Sequence, residues 1–135
     1  MSGDTQSPAP GVGSVDLAAV LHAWPGWARV LTVSGEIVHV NPAGLALTEV
    51  SIDRIKGRAW PLLWPPEHRG PMHDAIAAPA RGQVGRFRGV CLSESGKGLY
   101  LDTVVSPVRD TRGAVVNLLA VSRDISGAFE SEAFL

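Results

Sequence analysis

The 135-residue sequence holds one cysteine, Cys91, which excludes an internal disulfide and every cysteine-based zinc or iron–sulfur framework. Charge of one sign is also lacking: 12 Lys and Arg face 13 Asp and Glu, a formal net charge of −1. A nucleic-acid footprint needs clustered basic side chains. The nearest approach, Arg81, Arg86 and Arg88, is interrupted by Val84, Gly85 and Phe87. Long apolar runs are missing too: the longest, around Ala114–Val121, is broken by Asn117 and reads as a strand. The first dozen residues are Ser, Gly, Pro and acid rather than basic-then-apolar, so no signal peptide is expected. These absences predict a cytoplasmic domain with no nucleic-acid partner and no direct membrane contact.

Catalytic signatures are absent as well. There is no GxSxG elbow, phosphate-binding loop or dinucleotide fingerprint. Asp16, Glu49, Asp53, Glu67 and Asp74 are scattered rather than paired. His22, His39, His68 and His73 include no i, i+4 pair, so neither a protein metal site nor a catalytic residue is expected, and the chain is not read as an enzyme.

What is present divides the chain in four. Residues 1–13, rich in Ser, Pro and Gly, form a disordered leader. Residues 14–27 form a flanking helix, capped by Ser14 and stopped by Pro25–Gly26. Residues 28–126 form the main domain, and residues 127–135 begin a C-terminal linker. Within the domain, two β-branched runs, Arg29–Val33 and Glu36–Val40, flank Ser34–Gly35 and predict a tight hairpin. Asn41 then caps a short helix with Pro42 at its first position, where a missing N–H costs nothing. Gly57 lies in a turn, and Pro71–Ala78 forms a further helix with Met72, Ala75 and Ile76 inward. Strands follow at Val84–Leu92, Leu99–Val108 and Ala114–Ile125. Val84, Phe87, Val90 and Leu92 give the first of these an imperfect alternation. Five strands with the helices gathered between the second and third give an antiparallel α+β arrangement rather than βαβ winding.

The segment Ala59–Gly70 (AWPLLWPPEHRG) is the odd part. Its prolines preclude a long helix, and Trp60, Leu62, Leu63 and Trp64 are too apolar to be left in water together. They either cover one mouth of the core or line a ligand cavity.

Hairpin, Asn41–Pro42, Gly57, the glycine turns and the closing Arg123–Asp124–Ile125–Ser126 resemble, in order and spacing, the PAS domain of signalling proteins. The resemblance covers roughly residues 17–126 and implies a bacterial sensory module of a longer two-component or related protein, such as a histidine kinase. In such a module a small ligand or partner would shift the last strand, and Arg123, Asp124, Ile125 and Ser126 would relay that shift to an effector domain, Asp124 anchored through a backbone group or a charged partner such as Arg109 or Lys97. The helix beside the pocket and the sheet would supply a cofactor site of Trp60, Trp64, Met72, His73, Ile76, Phe87, Arg88, Tyr100, Leu101, Asn117 and Leu119. His73 would be the axial ligand of a haem, with Arg86 or Arg88 near a propionate. Haem is not the favoured reading, and neither is flavin, because the Asn-Cys-Arg-Phe run of photosensing relatives is missing and Cys91 lies on a strand. A small organic ligand of unknown identity is preferred. Val20, Leu21, Trp24 and Trp27 on the leading helix predict a homodimer. The alternatives are a ligand-free interaction and dimerisation module, a haem-based gas or redox sensor, and a small α+β enzyme.

Overall fold

A computed structural model describes residues 17–127. Helix α1 (Leu17–Ala23) leads into β1 (Trp27–Leu31) and β2 (Ile37–Val40). Helices α2 (Pro42–Thr48), α3 (Ile52–Ile55) and α4 (Arg69–Ala77) follow, and then strands β3 (Gly85–Leu92), β4 (Gly98–Arg109) and β5 (Val115–Asp124). The strands form one antiparallel sheet in the order β2-β1-β5-β4-β3. The α+β architecture expected from the sequence is the one observed. The leader and most of the proposed linker lie outside the described residues, as does the Ser14 cap.

Local chemistry explains where the elements differ from expectation. The β1–β2 turn is longer than Ser34–Gly35, because Thr32, Ser34 and Glu36 bond among themselves. The Glu36 carboxylate accepts from the hydroxyls of Thr32 and Ser34, and Gly35 N–H closes the turn on Thr32 O. Those hydroxyl donors hold the Glu36 carboxyl below its usual range. Gly35 has φ 100°, a left-handed conformation that favours glycine. Trp27 is the first residue of β1 rather than the end of the flanking helix, and it is buried in the core cluster. Leu62 and Leu63 are exposed, because two 3-10 turns, Trp60–Leu63 and Pro66–His68, turn Trp60 and Trp64 inward instead.

Strand β3 alternates without a break. Gly85, Phe87, Gly89 and Cys91 face inward, and Arg86, Arg88, Val90 and Leu92 face out. The imperfect alternation expected from Val84, Phe87, Val90 and Leu92 is therefore corrected: the strand is regular, and Val90 and Leu92 are on its exposed face. The glycines make room: Gly89 lies beside the edge-on cluster of Trp64, Phe87 and His68, with ring centroids 5.0–5.7 Å apart. Gly85 lies directly under the backbone of α4. The core gathers on this inner face, from Leu31, Leu99, Leu101, Val105, Leu118 and Ala120 to Met72, Ala75 and Ile76 of α4.

Asn41 ties the incoming segment to this sheet. It is fully buried, and its Oδ1 accepts from Gly44 N and Ala28 N while its Nδ2 donates to Trp24 O and Gly26 O. The expected helix cap is thus also a pin joining the end of α1, the start of β1 and the start of α2.

Candidate functional site

Between the inner face of β1–β2 and the segments Ile52–Ile55 and Trp60–Trp64 lies a cavity of about 300 Å³. Ile37, Val40 and Ile55 supply apolar wall, Trp27, Trp60 and Trp64 aromatic wall, and Arg54, Arg58 and Glu94 stand near its rim. Arg54 and Glu94 form an exposed ion pair at 3.3 Å.

Arg29 reaches into this cavity. It sits between Trp27 and Leu31 on a strand, so the two-residue period turns all three to the core. Its side chain is fully buried. Nη2 donates to Ser122 Oγ at 2.6 Å, and Ser122 Oγ lies 2.6 Å from Thr103 Oγ1. The guanidinium carbon lies 4.0 Å from the Trp27 ring centroid and 4.8 Å from that of Trp60, so both indole faces contact the cation. Nε and Nη1 have no partner among the described residues, nor do the indole nitrogens of Trp27 and Trp60. No described carboxylate lies within ion-pair distance of Arg29.

Burial pushes the Arg29 guanidinium down from its ordinary value to about 9, a fall opposed by its interaction with Cys91. Burial likewise raises the Cys91 thiol to about 11. At neutral pH the site therefore holds a cation beside a neutral thiol. Folding carries the cost of burying that charge, so Arg29→Met should raise the unfolding free energy at pH 7 by about 1–4 kcal/mol. In thermal melts that is a gain of several degrees. Because above about pH 9 the unfolded chain still holds the proton that the native guanidinium has lost, wild-type stability rises as the pH climbs from there towards the ordinary arginine range. The advantage of the variant should shrink there, and an advantage unchanged across it would show that the buried charge is not its source.

Of the residues proposed from sequence as a cofactor site, Trp60 and Trp64 line this cavity. Met72, Ile76, Phe87 and Leu101 are buried in the adjoining core and are not in its wall. His73 is exposed on α4, and no histidine is in the wall, so the cavity's residues do not fit a haem. Arg88, Tyr100, Asn117 and Leu119 fall on the opposite face of the sheet, out of phase with Phe87, Leu101, Leu118 and Ala120. Arg88 there faces Asp102 at 3.5 Å, and Asn117 Nδ2 donates to Leu31 O. Sequence reasoning passed over Arg29, although its phase between Trp27 and Leu31 was the signal that could have found it.

The exit from the sheet is held by short-range bonds. Arg123 approaches Asp102 at 3.5 Å. Asp124 Oδ1 accepts from Ser126 N, so of the two kinds of partner expected it has the backbone one, a local N–H, and not Arg109 or Lys97. Ser126 Oγ accepts from Tyr100 N, and Ile125 N donates to Tyr100 O. Among the described residues no group of His, Cys, Asp and Glu could hold a metal ion, and no helix is long and apolar enough to cross a membrane.

The family model described as the PAS fold matches residues 21–128. The chain belongs to the PAS family. Solved structures similar to this PAS domain include an RNA-binding light-oxygen-voltage receptor, at 21% identity and TM-score 0.74, covering 93% of this chain and 38% of that one. The chain thus spans well under half of that receptor. A light-oxygen-voltage domain from work on a flavin analogue matches at 21% identity and TM-score 0.71, covering 90% of this chain and 92% of that one. The PAS domain of a protein from Colwellia psychrerythraea matches at 18% identity and TM-score 0.70, covering 82% and 94%. At these identities the likeness is one of fold. No curated protein matches the chain.

Proposed function

We propose that this PAS domain is a regulatory sensory module. A small molecule in the cavity biases the sheet, and the bias leaves through β5 and residues Arg123–Ser126 to an effector domain of a longer chain, for which a histidine kinase in the cytoplasm is a candidate. The observation that carries this reading is the cavity itself, walled by three tryptophans around a buried guanidinium with unpaired donors. A route out also exists. Cys91 in the cavity wall pairs with Leu99, the next residue, Tyr100, holds Ile125 and Ser126, and so the wall and the exit share one strand. Coupling through it requires two states of that strand with different affinity for the ligand.

Two other readings have an observation behind them. Val20 and Trp24 are exposed on and just after α1, which suits a homodimer and, with a sealed cavity, a module of interaction alone. The likeness to light-oxygen-voltage structures brings a flavin back among the ligands to test, against the expectation from sequence. The wall fits its ring in part: Arg29 and the indole N–H of Trp60 would donate to ring carbonyls, and the one thiol, Cys91, comes from β3.

Native mass spectrometry and an absorption spectrum of gently purified protein decide among these. An added small-molecule mass is the expected result, and a flavin band would select that cofactor. A bare dimer that takes up no compound from a metabolite library would overturn the sensory reading in favour of interaction alone.

A further inference from the structure

Resting on the reading that the cavity takes a small molecule, we propose that its ligand is a small organic monocarboxylate, with the carboxylate on Arg29 and an apolar body against Ile37, Val40 and Ile55. Nε and Nη1, the unpaired groups of Arg29, are donors on different edges of the guanidinium, and Trp60 adds an unpaired indole nitrogen, whereas the indole nitrogen of Trp27 lies against Gly44. An ionised carboxylate is acceptor-only and can take either edge of the guanidinium, so it matches both the donors and the charge. A neutral carbonyl would satisfy one or two donors and leave the charge buried and uncompensated, which is the costlier state.

No described residue neutralises that charge: Asp124, in phase with Ser122 on β5, is exposed, accepts from Ser126 N and makes no ion pair with Arg29. Asp102, the buried acid of the sheet, faces Arg88 and Arg123 on the far side. Cys91 is held as the neutral thiol. Glu94 stands at the rim, paired with Arg54. A single buried cation selects a single negative charge, because a phosphate dianion would leave one charge unmatched in the same apolar wall. The cavity volume of about 300 Å³ lies at the lower end of the range for small-molecule sites. Ile37, Val40, Ile55, Trp60 and Trp64 line the cavity, so the rest of the ligand meets hydrocarbon and indole.

The test titrates the full chain with butyrate, octanoate, benzoate and phenylacetate, each against its own primary amide, by calorimetry and saturation-transfer NMR. At least one acid should bind roughly tenfold to a hundredfold tighter than its amide, the range for a hydrogen-bonded charge partner. Arg29→Met should abolish that preference and keep amide binding, while its melting curve reports that it is folded. Arg29→Lys should retain part of the preference. Amides and acids binding alike, or an acid preference that survives in Arg29→Met, would overturn the carboxylate assignment and leave the sensory reading standing. No binding by any acid or amide would overturn the carboxylate assignment too, and uptake of no compound from the metabolite library is the separate result that overturns the sensory reading.

Discussion

Asn41→Ala is expected to destabilise the domain by about 3–4 kcal/mol, since one side chain satisfies four backbone groups. Losing the helix cap alone costs about 1 kcal/mol. The remainder comes from Ala28 N, Trp24 O and Gly26 O, which would be left with only water that can reach them. For a domain of this size the melting temperature should fall by roughly 12–25 °C. Asn41→Asp should not rescue it: the carboxylate can accept from Gly44 N and Ala28 N, but it sets a charge against two carbonyl oxygens where Nδ2 had donated. Equilibrium denaturation of the three proteins checks this. A loss under 1 kcal/mol for the alanine variant would mean that the four bonds are replaceable.

Gly85→Ala should be of similar severity for a different reason. A Cβ at this position would stand 2.0 Å from the carbonyl oxygen of Ala75 and 2.7 Å from its Cα and carbonyl carbon. These are backbone atoms of α4, so no side chain can turn aside. Either the helix lifts off β3 or the strand bows, and each opens the contacts that bury Met72, Ala75 and Ile76. Overpacking of this kind costs about 3 kcal/mol or more. Gly98→Ala, at the exposed start of β4, is the control. Beyond its chain neighbours nothing lies within 4 Å of its Cβ and its φ is not positive, so the less flexible unfolded chain should leave stability unchanged or slightly higher. Comparable losses in both variants would show that the close approach is not the cause.

The residues that announce themselves locally were the ones sequence could read. Asn41–Pro42 is legible because capping and the proline preference act within one turn, and the glycine turns because left-handed backbone has few occupants. The antiparallel α+β class followed from where the helices gather, and the strand order came only with the structure. The cavity was less legible. Arg29 carries a charge, and charge reads as solvent unless phase is given more weight than polarity; its neighbours Trp27 and Leu31 supplied that phase. Strand β3 misled in the opposite way. Its inward positions hold Gly85 and Gly89, which look like gaps in a hydrophobic pattern and are in fact the space taken by α4 and by the Trp64–Phe87–His68 cluster. Arg88, Tyr100, Asn117 and Leu119 were grouped with Phe87 and Leu101 by proximity along the chain. A shift of one residue puts a side chain on the other face, and register is fixed only across strands.

The pairing of β1 with β5 has a mechanical side. Trp27 opens β1 opposite Ser122 near the end of β5, so the two ends of the domain leave from one edge of two neighbouring antiparallel strands. Tension applied between them loads the pair as a zipper, one rung at a time, rather than in shear across all rungs together. The Asn41 bonds to Trp24 O and Gly26 O take that load first. Next comes the rung at Trp27–Ser122, and Arg29, paired with Ala120, lies two residues further in. A modest pull would therefore uncover the guanidinium and open the cavity while β3 and β4 stay paired, making site occupancy a quantity that force can change.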